Sequence, residues 1–351
     1  MKGRLSIWVL CTLFFLLSCR EADRYVVLGG YAQGGTYSVK LNLKGVRERP
    51  QAIQTAVDSL LKEIDFTLSG YNKASLLSRL NAGETITPNP MLCEVYRRSY
   101  EFYRRSGGAF DVACGPLFDI WGFGFTTDSL PGPDRIAEAA ARSGMGRLRP
   151  TMEEALSPNG TLSARDLLIE PGGEAPLLNF NAIAQGFSCD YVARYLHALS
   201  VKDMLVDIGE IYCEGRNPSG RSWSIGIDSP VDGNNVPGAD MQGVWRSGGG
   251  AGQGVVTSGN YRKFYVRDGR KYSHTIDPRT GVPVSHNLLS ATVIAPDATT
   301  ADAVATWCMV VGFREAALLL RDLGLEACLI YDEEGEMKLW TTSGFGLSTG
   351  N

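Results

Sequence analysis

The irregular order of strand-like and helix-like stretches is the feature that most constrains the fold of this chain. Some stretches carry apolar residues at helical spacing and others form short strand-like runs, but strands and helices do not alternate one by one, and no internal repeat is visible. The pattern therefore predicts an α+β fold with two interleaved subdomains, mixed sheets and flanking helices. Strands are predicted at 24–28, 36–43, 204–208, 223–227, 255–257, 264–267, 288–295, 327–331 and 337–341, and helices at 51–64, 92–105, 133–142, 184–199, 300–311 and 314–323.

A Gly-rich segment at 232–254 interrupts the second half of the chain. It lies between the strands predicted at 223–227 and 255–257. Because glycine disfavours regular strands and helices, this segment is predicted to be an irregular, mobile insertion or flap.

The N-terminus has the features of an export signal. Two basic residues precede an apolar run at 5–17, which is too short to cross a membrane comfortably and ends just before Cys19. The end of this run resembles a bacterial lipobox, in which Cys19 would be acylated and become the first mature residue. We therefore expect a signal peptide at 1–18, one domain at 19–351, and an exported protein that its lipid anchors to a bacterial membrane, facing the periplasm. A cleaved signal with a coincidental cysteine is the alternative.

Composition and charge argue against two classes of function. The formal net charge of −4 and the pI near 5.6 do not suit a nucleic-acid-binding protein, because neutralising phosphates requires a basic surface. The chain has three histidines, His197, His274 and His286. A zinc site built from three histidine ligands would need all of them, so we do not expect a zinc enzyme of that kind.

Two segments carry residue types that packing alone does not explain. The stretch 107–124 combines glycines with Trp121, Gly122 and Phe123, which lets backbone and rings approach a flat ligand closely. An aromatic turn that fills a core is an equally good interpretation. The stretch 179–186 leads into a predicted helix whose first N–H groups could bind phosphate oxygens. An ordinary Asn-capped helix is the alternative, and it is favoured on this stretch alone.

A third segment, at 257–306, ends in a candidate metal site. Asp302 and Thr306 lie one helical turn apart, so their oxygen atoms face the same way. A carboxylate and a hydroxyl, completed by phosphate oxygens and water, suit Mg²⁺. An exposed Asp and a Thr bonded to its own helix are the alternative. That alternative is weakened because His274 and a turn at 277–281 precede the pair in the same half of the chain.

Together, these segments resemble the ApbE family of FAD:protein FMN transferases. The matching stretches follow in the family's order over nearly the whole mature chain, and the most specific one is the Ser-His-x-x-Asp-Pro-x-Thr-Gly block at 273–281. The other matching stretches are 35–37, 69–81, 108–124, 182–186 with Asp190, 206–209, 257–259, Pro283 and 302–306.

The resemblance implies that FAD binds as the substrate in a cleft between the two subdomains. Mg²⁺ would be held beside the pyrophosphate by Asp302, Thr306 and the backbone carbonyl of Ala182. His274 would act as general base toward the acceptor hydroxyl, a Thr or Ser of a partner flavoprotein, which attacks the FMN-side phosphorus with release of AMP. The positions that match FAD contacts in the family are Gly34, Tyr71, Trp121, Gly122, Phe123, Asn179, Gln185 and Ser273.

Three departures from the family pattern concern FAD binding more than reaction type. Asn179 stands where the family often has Asp, and Gln185 stands where it often has Lys or Glu. Gly209 is followed by Glu210, where the family often shows a second glycine. None of these departures falls on the predicted metal ligands or on His274.

The resemblance also implies partners, and it leaves alternative functions. The acceptors would be flavoprotein subunits of membrane redox complexes. A Mg²⁺-dependent FAD pyrophosphatase, in which water attacks the same phosphorus, is one alternative, and a non-catalytic lipoprotein that binds FAD is another. A structural lipoprotein that binds no flavin is the last. The products distinguish them: a modified acceptor with AMP, free FMN with AMP, bound FAD without AMP, or no flavin at all.

Overall fold

The computed structural model describes residues 23–123, 130–234, 236, 238–261, 264–267 and 270–348. The predicted signal peptide, the predicted lipid anchor at Cys19 and Gly124 lie outside these residues. Among the helices of the described segments, none combines the length and the apolar character that a membrane crossing requires.

Helices and strands are mixed along the chain, and the predicted α+β fold class is confirmed. The helices are α1 (Pro50–Leu68), α2 (Leu76–Asn81), α3 (Pro90–Arg105), α4 (Gly115–Ile120), α5 (Pro133–Ala141), α6 (Ala184–Ala198), α7 (Ala298–Val311) and α8 (Phe313–Leu323), with 3₁₀ turns at Met145–Arg147 and Glu153–Ala155. The strands are β1 (Tyr25–Ala32), β2 (Gly35–Asn42), β3 (Met204–Asp207), β4 (Ile211–Glu214), β5 (Ser224–Asp228), β6 (Met241–Arg246), β7 (Gln253–Gly259), β8 (Phe264–Arg267), β9 (Arg270–Ser273), β10 (Ile276–Asp277), β11 (Val282–Pro283), β12 (Leu288–Ala295), β13 (Glu326–Glu333), β14 (Glu336–Thr341) and β15 (Leu347–Ser348).

An eight-stranded sheet in the order β1-β2-β3-β4-β7-β12-β13-β14 organises the described residues. All its neighbouring pairs are antiparallel, so this sheet is antiparallel rather than mixed as the sequence predicts. Antiparallel neighbours can be joined by tight turns, as β1 and β2 are through Gln33 and Gly34. In contrast, β2 and β3 pair with Ser38 opposite Asp207 although a long helical segment separates them in the chain.

The large sheet is packed on both faces. On one face, α1, α6 and α7 help to bury side chains such as Val39, Val206 and Val293. On the other face, the small sheet β15-β6-β5 contributes Trp245 to a second apolar cluster, which includes Leu205 from β3. The large sheet therefore lies between a layer of helices and the small sheet.

The Gly-rich segment at 232–254 differs from its predicted irregular form. It contains β6 and the start of β7, and β6 pairs with both β5 and β15. Gly243 allows this close pairing, because a Cβ at this position would lie 2.9 Å from both the Leu347 side chain and the Ser348 carbonyl. The glycine therefore permits a strand here instead of breaking one.

The start of α7 is fixed by two carboxylates from different segments. The N–H groups of Ala298 and Thr299 each donate to Asp190 at 2.8 Å, and the N–H of Thr300 donates to Asp297 at 2.7 Å. These bonds satisfy backbone donors that a helix start leaves unpaired. They hold α7 in register against α6, which determines where Asp302 lies.

Candidate active site

A cleft with a cavity volume of about 390 Å³ contains part of the predicted FAD site. Three of the predicted contacts, Tyr71, Phe123 and Asn179, line it. Tyr71 is 66% exposed, and its hydroxyl lies 3.5 Å from the side-chain amide of Asn181. The other lining residues are Gly70, Lys73, Ser78, Asn81, Ala82, Gly115, Phe118, Asp119, Leu177, Leu178 and Asn181. The cleft thus combines aromatic rings with polar groups, which suits a flat polar ligand.

A second cavity of about 230 Å³ lies between α3, α6 and the start of α7. Charged side chains around it are paired with one another: Arg194 contacts Glu94 at 3.0 Å, and Arg98 contacts Asp297 at 2.9 Å. None of the residues predicted to bind FAD or Mg²⁺ lines it. The larger cleft is therefore the candidate active site.

Trp121 is held at the end of α4 by a buried hydrogen bond. Its Nε1–H donates to the carbonyl of Gly281 at 2.8 Å, and the side chain is only 8% exposed. Gly122 follows with a φ of +77°, a left-handed conformation that glycine adopts without strain. Neither residue lines the cleft, but together they orient the backbone that leads to Phe123, which does.

Two tyrosines to which the sequence analysis assigns no role lie against this segment. Tyr265 in β8 and Tyr272 in β9 are opposite each other in the hairpin, and their stacked rings are 5.3 Å apart. The ring of Tyr272 is 5.9 Å from that of Trp121, and the ring of Tyr265 is 5.2 Å from that of Phe123. These four rings are termed the aromatic cluster. The available signal was a tyrosine directly before the Ser-His block, with a second tyrosine seven residues earlier.

His274 follows β9 directly and lies beside the aromatic cluster. Its half-buried ring is edge-to-face with Phe123, with ring centres 6.5 Å apart. Ser273 is buried, and its Oγ accepts a hydrogen bond from the N–H of Thr275 at 3.1 Å. Ser273 therefore shapes the loop that carries His274, and it does not line the cleft.

The turn at 277–281 connects the His274 segment to α4. Arg279 donates to both carboxylate oxygens of Asp277 at 2.9 Å, and the N–H of Gly281 donates to the Asp277 carbonyl at 2.8 Å. Gly281 has a φ of +74°, and a Cβ there would lie 3.0 Å from the side chain of Ile136. The turn thereby fixes the carbonyl that accepts the bond from Trp121.

Asp302 is a buried carboxylate between α6 and α7. It is 5% exposed, and its Oδ2 accepts a hydrogen bond from the N–H of Gly186 at 3.0 Å. Burial raises the pKa of Asp302 to about 7; the bond from Gly186 opposes this rise, and the nearby Asp190 charge adds to it. A buried carboxylate of this kind gains from a cation that keeps it ionised.

The start of α6 is bonded directly to Asp302. Gly186 lies in the first turn of α6, where N–H groups have no partner within the helix, and its N–H donates to Asp302. Ala182, whose carbonyl is a predicted ligand, lies two residues before the first residue of α6. Only glycine fits at 186, because a Cβ would lie 2.8 Å from that of Asp302. Thr306 lies one turn beyond Asp302 on α7 and is half-buried. The three predicted ligands thus offer a carbonyl, a carboxylate and a hydroxyl.

These oxygen groups fit Mg²⁺ better than a transition metal. The described residues contain no group of three or more His, Cys, Asp or Glu side chains that could hold a metal ion. Mg²⁺ is commonly bound by one or two carboxylates and completes its shell with water and substrate phosphates. The combination of Asp302, Thr306 and the Ala182 carbonyl matches that chemistry.

The stretch 179–186 is not the Asn-capped helix of the alternative interpretation. The residue before α6 is Ile183, which provides no capping side chain, and the N–H of Ala184 is bonded to the carbonyl of Phe180 at 2.8 Å. Asn179 instead accepts a bond from the N–H of Asn181 at 2.9 Å and lines the cleft. With Gly186 bonded to Asp302, two N–H groups of the predicted phosphate site are already used within the protein.

Gly34 and Gln185 lie near the start of α6 and not among the residues that line the cleft. Gly34 has a φ of +81° in the β1–β2 turn, and its neighbour Gln33 donates to the hydroxyl of Ser188 at 2.5 Å. The amide of Gln185 donates to the Ile208 carbonyl at 3.4 Å and lies against Gly209.

The departure from the family pattern at Glu210 also has a structural role. The Glu210 carboxylate accepts a long hydrogen bond from the N–H of Thr257 at 3.4 Å. The β3–β4 turn is closed by a second bond, from the N–H of Ile208 to the Glu210 carbonyl at 2.9 Å. The side chain at this position therefore ties the turn to β7.

The predicted site residues fall into two groups that are joined by the chain. Phe123 and Asn179 belong to the cleft, and Trp121 and His274 lie beside it through the aromatic cluster. The second group is related to the start of α6 and consists of Gly34, Ala182, Gln185, Asp302 and Thr306. Gln185 belongs to the first turn of α6, Asp302 is bonded to it through Gly186, and Thr306 follows Asp302 by one turn on α7. The segment 179–186 begins in the first group and ends in the second.

Comparison with known proteins identifies the same relationship over nearly the whole chain. A family model described as the ApbE family matches residues 33–329. The FAD:protein FMN transferase of Salmonella typhimurium is 30% identical over 350 residues, covering 96% of this chain and 95% of the relative. The protein of the same name from Vibrio cholerae is 30% identical over 343 residues, covering 96% of each chain.

Solved structures have the same fold. The flavin transferase ApbE of Vibrio cholerae superposes with a TM-score of 0.74 at 29% identity, covering 92% of this chain and 98% of that chain. The apo form of the Pseudomonas stutzeri flavinyl transferase ApbE superposes with a TM-score of 0.77 at 31% identity, covering 92% and 95%. The similarity therefore extends over both groups of predicted site residues.

Proposed function

This chain belongs to the ApbE family and is an FAD:protein FMN transferase, and we propose that it transfers FMN to a Thr or Ser hydroxyl of a partner flavoprotein in a Mg²⁺-dependent reaction that releases AMP. The acceptor oxygen forms a bond to the FMN-side phosphorus of FAD, and the bond from that phosphorus to the bridging oxygen breaks. The bridging oxygen leaves with AMP. The hydroxyl proton passes to His274 as general base.

The observation that carries this proposal is the position of His274 beside the aromatic cleft. Phe123 both lines the cleft and lies edge-to-face with His274, at 6.5 Å between ring centres. A flavin held in the cleft would therefore lie near the imidazole. A binding protein without chemistry would have no need for a base at this place.

In the cleft, FAD would contact Tyr71, Phe123 and Asn179. The other positions that match FAD contacts in the family do not line the cleft: Gly34, Trp121, Gly122, Gln185 and Ser273. The exposed ring of Tyr71 and the half-buried ring of Phe123 both line the cleft, which suits stacking on a flat ring system. Asn179 and Gln185 are neutral, so they would bind FAD by hydrogen bonds and not by charge. The cation needed beside the pyrophosphate would come from the metal site.

Asp302, Thr306 and the carbonyl of Ala182 would hold Mg²⁺. When bound, Mg²⁺ would neutralise charge on the phosphates and make AMP a better leaving group. The protein's own contribution is the arrangement of the ligands: the N–H of Gly186 bonds one oxygen of Asp302, and the Ala182 carbonyl lies just before the start of α6. α7 carries Thr306 one turn further on the same side as Asp302.

The place of action follows from the N-terminal sequence. We expect residues 1–18 to be removed as a signal peptide and the domain 19–351 to be anchored through a lipid on Cys19, facing the periplasm of a bacterial cell. The acceptors would then be flavoprotein subunits of membrane redox complexes that expose a Thr or Ser on the same side.

The mass of an acceptor protein tests the proposal. The chain without residues 1–18 is incubated with FAD, MgCl₂ and a candidate acceptor subunit, and parallel reactions contain EDTA or no acceptor. We expect the acceptor to gain the mass of a phosphoester-linked FMN and an equal amount of AMP to appear, both only with Mg²⁺. Free FMN with AMP and an unmodified acceptor would identify a pyrophosphatase. Bound FAD without AMP would identify a binding protein.

A further inference from the structure

The hairpin β8–β9 is separate from the large sheet. It forms a separate two-stranded sheet, to which no other strand of the described residues is bonded. A two-stranded hairpin is marginally stable on its own in water. Its position therefore depends on what its side chains contact.

Tyr265 and Tyr272 connect this hairpin to the segment 121–123. Their rings are parallel to within 19°, and the contacts with Trp121 and Phe123 extend the stack at both ends. The hydroxyl of Tyr265 also donates to the carbonyl of Trp121 at 3.2 Å. The backbone that orients Phe123 toward the cleft is thus held by rings from the hairpin.

The same hairpin leads directly to His274. Tyr272 precedes His274 by two residues, so the strand that stacks on Trp121 also delivers the imidazole. A shift of the hairpin would move Phe123 and His274 relative to each other. Neither tyrosine lines the cleft, so both would act through other residues.

We propose that Tyr265 and Tyr272 are positioning residues whose stacked rings hold the segment 121–123 in place for FAD binding and keep it beside His274. This inference rests on the proposed function, because it assumes that FAD occupies the cleft. Loss of the Tyr265 ring removes its contacts with Phe123 and Tyr272 and the bond to Trp121. Each such contact is individually modest, so we expect the Kd for FAD to rise about tenfold when all are lost.

The test compares three variants by FAD titration with Mg²⁺ and without an acceptor. Tyr265→Ala removes the ring, Tyr265→Phe keeps it and removes only the hydroxyl, and Val266→Ala is the matched control. Val266 is the next residue of β8 and is 61% exposed. We expect a Kd for FAD about ten times that of the wild type for Tyr265→Ala, within about threefold for Tyr265→Phe, and unchanged for Val266→Ala.

Thermal unfolding of each variant separates positioning from general stability. Wild-type affinity in Tyr265→Ala would overturn the inference, and so would an equal loss of affinity in Tyr265→Ala and Val266→Ala. If Tyr265→Ala does not fold, Tyr265→Leu keeps apolar volume without a stacking ring, and the same tenfold loss is expected. A wild-type protein that binds FAD but modifies no acceptor would refute the proposed transfer while these affinities still decide the role of Tyr265. A wild type that binds no FAD would refute both.

Discussion

The substitution Asp302→Asn should stabilise the metal-free protein while it removes Mg²⁺-dependent turnover. Burial raises the pKa of Asp302 from its ordinary value of 3.8 to about 7. A difference of roughly three pKa units means that, at pH 8, where the group is ionised, the free energy of unfolding is about 4 kcal/mol lower than it would be without this pKa shift. The side-chain amide of the variant would carry no charge and would still accept the bond from Gly186 through its oxygen, but its NH₂ group would need a partner. We therefore expect a net gain of about 2 kcal/mol in the free energy of unfolding.

The size of this stability difference changes with pH in a defined window. Because the pKa of Asp302 is raised in the folded state, the folded wild type binds an extra proton between about pH 4 and pH 7, and its stability from this group falls as pH rises through that window. The advantage of Asp302→Asn should be largest at pH 8 and should shrink toward pH 4. Urea unfolding in EDTA at both pH values measures it, and AMP release with Mg²⁺ measures turnover. A variant less stable than wild type at pH 8, or one with full turnover, would refute the reasoning.

Three further substitutions test other parts of the site. His274→Ala should lower the rate of AMP release at least about a hundredfold with unchanged FAD affinity, since general bases contribute on that order. The control is His197→Ala, because the His197 ring contacts Glu214 outside the cleft. Equal rates of AMP release in the two variants would refute the role of His274 as general base. Gly186→Ala would place a Cβ 2.7 Å from the Ala298 carbonyl carbon and should cost about 1 to 3 kcal/mol in urea unfolding; wild-type stability would mean that α6 and α7 are not packed as described. Trp121→Phe leaves the Gly281 carbonyl without the indole N–H donor and should lower the free energy of unfolding by about 1 to 3 kcal/mol, measured by urea unfolding. An unchanged urea midpoint would show that water replaces the indole as the donor.

Much of the fold could be predicted from the sequence because its longer elements carry their own periodicity. α7 and β12 are examples: each is dominated by apolar residues and lies where the sequence predicts an element. β6 could not be predicted, because Gly243 in its middle argues against a strand. Its stability comes from pairing with β5 and β15, and β15 lies about a hundred residues further along the chain. Such long-range pairing leaves no local signal.

The candidate site divides in the same way. The spacing of Asp302 and Thr306 is a local property of one helix, so the pair could be identified from the sequence. The bond from Gly186 to Asp302 joins residues 116 positions apart and could not. Tyr265 and Tyr272 were assigned no role for a related reason. Their partners in the aromatic cluster, Trp121 and Phe123, lie in a distant part of the sequence. Aromatic residues in strands are also usual in any core, so they give no specific signal.

The pairing of Ser38 with Asp207 has a consequence for how the polypeptide acquires its shape. The hairpin of β1 and β2 is separated from its neighbour in the sheet, β3, by more than 160 residues. Closing so large a loop delays the pairing, since its entropy must be overcome before the contact forms. A hairpin formed before β3 joins it would therefore expose the unpaired edge of β2, at which strands of another chain could pair.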